Sequence, residues 1–235
     1  MLTGFAIGFS RFHFADPASA LTVFGSALAI AILAALLAAT AAVVIWRDGL
    51  RGAGRAVAGF ILAIGLLAYP AYLATIAFAL PRIAQVSTDL KSPPPFLLSS
   101  RARAARAGAE PPPALDAETR AAQRRAYPEL ETIRVEMDPS SAYQLALSAA
   151  NELGWTIIDS EPPNLAGDSA ALIEATSRSL FFGFVNDIAI RIRPGDAQTA
   201  IDIRSASRVG AHDFGANAQR IDAFAKAVEE DARPD

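Results

Sequence analysis

Cysteine is absent from the chain of 235 residues, which excludes disulfides, thiolate nucleophiles and Cys-ligated metal sites. Histidine occurs only at positions 13 and 212, too sparse a supply for a histidine metal centre. Phosphate-loop signatures are also missing. The run Val209–Gly215 precedes a helical segment, but it has neither the GxGxxG spacing nor a P-loop lysine. A basic surplus is lacking as well: residues 83–235 hold sixteen Lys and Arg against twenty-two Asp and Glu, a balance unsuited to nucleic acid. No metal, cofactor or nucleic-acid partner is therefore expected.

Charge itself is missing from two stretches. Pro17–Trp46 and Ala56–Pro81 contain no Asp, Glu, Lys or Arg, and each exceeds the ~20 residues that cross a bilayer as a helix. They account for a hydrophobic content of 52% and a mean hydropathy of +0.29. The chain thus predicts a membrane part over residues 1–90, with helices near 19–46 and 56–80 and membrane lipid as a partner. Arg47, Arg51 and Arg55 crowd the intervening loop, so the positive-inside rule places that loop in the cytoplasm and both termini outside. The opposite orientation, with a cytoplasmic domain, is the alternative. Before the first helix, Phe9, Phe12 and Phe14 surround Arg11 and His13, which suits an interfacial anchor as well as a frayed end. The opening residues lack the basic start of a cleaved signal peptide.

Residues 91–115 contain proline triplets at 93–95 and 111–113 around an Ala- and Arg-rich run. That composition predicts an extended stalk which buries little. The soluble domain is expected at 116–235. Asp116 caps a short helix that ends before Tyr127-Pro128, and Thr132–Met137 alternates as a first strand. Asp138-Pro139 then opens a helix that stops at Gly154. Strands follow over Trp155–Asp159 and Ala170–Ser179. In Asp187–Arg193 the isoleucines 188, 190 and 192 share one face, Thr199–Arg208 repeats the alternation, and Pro194-Gly195-Asp196 turns between them. Phe214, Ala218, Ile221, Phe224 and Val228 have helical spacing behind Asp213, which is expected to cap that helix. The fold class is α+β: two transmembrane helices, then β-α-β-β-β-β-α with an antiparallel sheet and both helices on one face.

The run RSASRVGAHDFGANAQRI at 204–221, with AYPEL at 126–130, Gly154-Trp155 and FGFVNDIAIRIRP at 182–194, resembles a bacterial family catalogued as domain of unknown function 1499. The family pattern usually has two acids where this chain has Asn186-Asp187. The resemblance implies a membrane-attached envelope protein and no reaction.

Alternation places Glu174, Arg178, Asp187, Arg191, Arg193, Asp202, Arg204 and Arg208 opposite the isoleucines. If both helices cover the isoleucine face, this second face is open. Arg178, Arg191, Arg193, Arg204 and Arg208 then form a candidate site for an anionic envelope ligand or an envelope protein. The competing reading is a solvated sheet face with cross-strand ion pairs. Ser205, Ser207, His212 and Asp213 supply the residue types of a hydrolytic triad, but Asp213 is better used as a cap, and no nucleophile-elbow glycine pattern occurs. Gly210 belongs to the turn before the last helix. Asn217 and Arg220 either tie the helix start to that turn or line a small anion site. The expected function is a membrane-anchored envelope protein with an extracytoplasmic, non-catalytic binding module or accessory subunit. An envelope hydrolase using a Ser/His pair and a cytoplasm-facing scaffold are the alternatives.

Overall fold

A computed structural model describes residues 17–164, 169–179, 183–195 and 197–233. The expectation for Phe9–Phe14 lies outside the described residues. The chain divides into a helical unit that ends at Ala79 and an α+β unit that begins at Leu80.

The helical unit consists of α1 (Pro17–Asp48) and α2 (Ala53–Ala79). Gly49, in the left-handed conformation at φ 65°, stops α1, and the Leu50 amide returns to the Ile45 carbonyl, a closure that satisfies the last-turn acceptors. Small side chains mark the faces where the two helices meet: Ala27, Ala31, Ala35, Ala56 and Ala63 are buried. Large ones point away. Leu36 and Leu37 are 60% and 62% exposed, and Leu62 is 75% exposed, the reverse of a helix pair built for water.

In the α+β unit, β1 (Gln85–Ser87), α3 (Ser100–Ala105) and α4 (Ala117–Ala126) precede β2 (Ile133–Val135) and α5 (Pro139–Glu152). Then come β3 (Thr156–Glu161), β4 (Ala171–Arg178), β5 (Val185–Arg193), β6 (Thr199–Ser207) and α6 (Ala216–Asp231). All pairings are antiparallel. The order is β1-β6-β5-β4-β3, and β2 also pairs with β6 beyond the end of β1. The expected α+β order is present. Two elements, β1 and α3, are additional to it, because three residues are too few to alternate and the Ala/Arg run reads as solvated.

Register follows the isoleucines. Ile173, Ile190 and Ile203 align across β4, β5 and β6, and Ile192 faces Ile201. This face is covered by α5 and α6 through Ala142, Ala146, Ala149, Ile221, Phe224 and Val228. Trp155, just beyond the Gly154 turn, stacks on Phe224 with ring centroids 5.5 Å apart.

The other sheet face is covered too, which corrects the expectation of a stalk over 91–115. The chain from Thr88 to Pro113 crosses it as a strap. Phe96 packs against Ala189 of β5 and Ala206 of β6. Phe96, Leu97, Ala102 and Leu115 are buried. Proline-rich chain is extended, as expected, but here the extended backbone lies on a sheet whose charged side chains need acceptors. Its carbonyl groups supply them.

Candidate functional site

The face opposite the isoleucines carries the charged side chains that alternation assigns to it, but the strap closes it. Arg191 donates to Asp202 at 3.0 Å, to Asp89 of the strap at 3.1 Å and to the Ser92 carbonyl at 2.7 Å. Arg193 donates to Asp202 at 2.6 Å. Asp202 is fully buried and accepts from the Thr132 hydroxyl as well. Two acids thus hold two arginines, the arrangement in which buried charges are tolerated.

Arg204 is 5% exposed. It donates to Gln85 Oε1 at 2.6 Å and to the Pro113 carbonyl, and its guanidinium lies 4.8 Å from the centroid of the Phe96 ring. With neutral acceptors and a π face as neighbours, burial pulls its pKa down to about 10. Arg208 clasps both oxygens of Asp187 and donates to the Ala105 carbonyl at 2.9 Å. Arg178, at the end of β4, is exposed. The expected open arginine face is therefore corrected: Arg191 and Arg204 are buried, and Arg191, Arg193, Arg204 and Arg208 are all engaged by the strap.

Glu174, the acid that β4 contributes to this face, is engaged by the strap as well. Its carboxylate accepts from the Leu97 amide at 2.6 Å and pairs with Arg106, whose other nitrogen donates to the Leu97 carbonyl. Burial pushes this carboxyl above its usual range, while Arg106 and the Leu97 amide pull it back. Arg106 lies in the Ala/Arg run, where nothing in the local pattern distinguishes it from Arg101 and Arg103.

A second polar cluster sits behind β6, on the isoleucine face. Ser205 donates to Asn217 Oδ1 at 2.8 Å, and Arg220 donates to both the Ser205 hydroxyl and that amide oxygen. Ser207 donates to Asn186 Oδ1 at 2.9 Å, and Asn217 donates to Ser207 and to the Ala84 carbonyl. Burial lowers the Arg220 pKa, and Asp213 opposes that shift. His212 Nδ1 accepts from the Phe214 amide. The serine hydroxyls are thus held by amides and a guanidinium, and the structure does not bring Ser205 or Ser207 together with His212 as a nucleophile and base would require.

Asp213 is a cap from outside the helix. The N-cap is Gly215, at φ 80°, which has no side chain to offer. Asp213 compensates by accepting from the Gly215 amide at 3.0 Å through one oxygen and from the Asn217 amide at 2.9 Å through the other. Gly210, at φ 87°, turns the chain after β6. The side chains of Asn217 and Arg220 tie the helix start to Ser205 and Ser207 of β6 rather than to the preceding turn. Among the described residues, no cluster of His, Asp and Glu has the makings of a metal site.

Comparison with known proteins adds one finding. The model of a family described as "Protein of unknown function (DUF1499)" matches residues 85–228, a span that runs from the first residue of β1 into α6. No curated protein matches the chain.

Proposed function

Since the chain belongs to the DUF1499 family, we propose that it is a membrane-embedded bacterial envelope protein whose α+β unit acts as a non-catalytic binding module or accessory subunit. The observation that carries this reading is the exposure of the helical hairpin. Its most apolar windows are only 6% and 11% buried, whereas a core helix of a water-soluble protein hides such a surface. Lipid is the solvent that suits it. A module rather than an enzyme is supported by the engagement of the reactive polar groups: the serines by amides, the arginines by the strap, and Asp213 by the start of α6.

Membrane embedding is tested by alkaline carbonate extraction of membranes from expressing cells. The full chain should stay in the pellet and enter solution only with detergent. Release by carbonate alone contradicts the reading.

Orientation follows from Arg47, Arg51 and Arg55 in the loop between the helices, a charge cluster that is retained on the cytoplasmic side. The α+β unit then faces the periplasm of an inner-membrane protein. Protease added to intact spheroplasts should remove it. Protection until lysis would reverse the orientation and favour a cytoplasm-facing scaffold.

A further inference from the structure

The edge of the sheet beside β6 is split. β1 pairs with Arg204–Ala206 and β2 with Thr199–Ile201, so among the described residues no strand continues the ladder opposite Asp202 and Ile203. Thr88 closes the gap: its amide donates to the Ile203 carbonyl at 3.0 Å, and its hydroxyl accepts from the Ile203 amide at 2.9 Å. Outward from this split opens a groove of ≈ 410 Å³, walled by the residues after β1, the C-terminal end of α4 and the approach to β2. That volume is in the range of small-ligand sites.

Lys91, Arg124 and Arg134 line the groove, with Asp89 and Glu131 as its acids. Asp89 is already spent, one oxygen on the amides of Lys91 and Ser92 and the other on Arg191 and Arg193. Three cations therefore face one available acid, in a region where residues 83–235 carry an acidic surplus. The C-terminus of α4 adds roughly half a negative charge, and the balance stays positive. Among the described residues, the Lys91, Arg124 and Arg134 side chains form no hydrogen bond or ion pair, whereas four of the arginines on the sheet face are engaged. The Thr132 hydroxyl, on the groove wall, is committed to Asp202. Recognition thus rests on cations, two of them guanidinium forks that match phosphate oxygens.

We propose that this groove binds a small phosphate-bearing anion. The proposal deepens the binding-module reading and is independent of membrane orientation. A free phosphate and a phospholipid headgroup share the required chemistry.

The test uses the full chain in an uncharged detergent, titrated by calorimetry with inorganic phosphate and, separately, with glycerophosphoglycerol, the soluble headgroup of an anionic phospholipid. At least one should bind, and more weakly as salt is raised. The variant Lys91→Gln/Arg124→Gln/Arg134→Gln should weaken that binding about tenfold or more. The control Arg120→Gln/Arg125→Gln, on α4 but outside the groove, should leave it within about twofold. Binding of phosphate alone identifies a free anion, and preference for the headgroup identifies lipid. If the triple variant melts early, Arg134→Glu at its exposed position serves in its place. Binding of neither probe overturns the proposal, as does equal weakening in the control. Either failure leaves the carbonate-extraction result untouched, so it is distinguishable from failure of membrane embedding.

Discussion

Arg106 and Glu174, 68 positions apart in sequence, meet as an ion pair in which each side chain is 1% exposed. The pair joins the strap to β4. Removing one partner strands the other in a low-dielectric site, so Arg106→Met or Glu174→Gln should each cost ~3–5 kcal/mol in a denaturant melt. In the Glu174→Gln variant the side-chain amide oxygen can still accept from the Leu97 amide. The double variant leaves neither charge stranded, so it should be more stable than the sum of the singles by ~0.5–3 kcal/mol. Additive losses would show that the two side chains do not act as a pair.

At the start of α6, Asp213 uses both carboxylate oxygens, one on Gly215 and one on Asn217. Asp213→Ala should cost ~1–2 kcal/mol. Asp213→Asn keeps one acceptor and should fall between Ala and the unaltered protein. If Asn is as damaging as Ala in the melt, the carboxylate charge rather than its acceptor geometry matters there.

Gly215 is fixed by conformation and by space. It adopts φ +80°, and a Cβ at this position would lie 2.8 Å from Leu80 Cδ1 and 3.4 Å from the Tyr127 hydroxyl. Gly215→Ala should destabilise by ~1–3 kcal/mol through backbone strain and displacement of Leu80. A melt unchanged by this substitution would mean that the turn relaxes freely.

Much of the fold is legible because it is written in periodicity. Ile188, Ile190, Ile192, Ile201 and Ile203 alternate strictly, and Asp138-Pro139 marks a helix start in two residues. The membership of the face opposite those isoleucines is legible in the same way, yet its coverage is not, and the reason is physical. The partners of Arg191, Arg204 and Arg208 include backbone carbonyls of Ser92, Pro113 and Ala105. Composition cannot show which carbonyl groups of a Pro- and Ala-rich segment will be used. Strand β1 is hidden for a similar reason: its outer edge is completed by the side-chain amide of Gln123, which accepts from the Ser87 amide at 3.0 Å and donates to the Ser87 carbonyl at 2.7 Å. The serine cluster is visible as residue types, whereas its geometry depends on Asn217 and Arg220, whose roles emerge only once α6 packs behind β6.

The central claim is that residues 88–113 are a layer of the folded domain and not a stalk beside it. The direct measurement compares thermal unfolding of two purified fragments, 80–235 and 116–235. The longer fragment contains the strap, β1 and every partner of Arg191, Arg204 and Glu174 named above. It should melt in one cooperative transition. The shorter fragment exposes Ala189 and Ala206 and leaves the Glu174 carboxylate without Arg106, so it should lack that transition or melt far lower. Equal melting of the two fragments would contradict the account and restore residues 91–115 to the status of a linker.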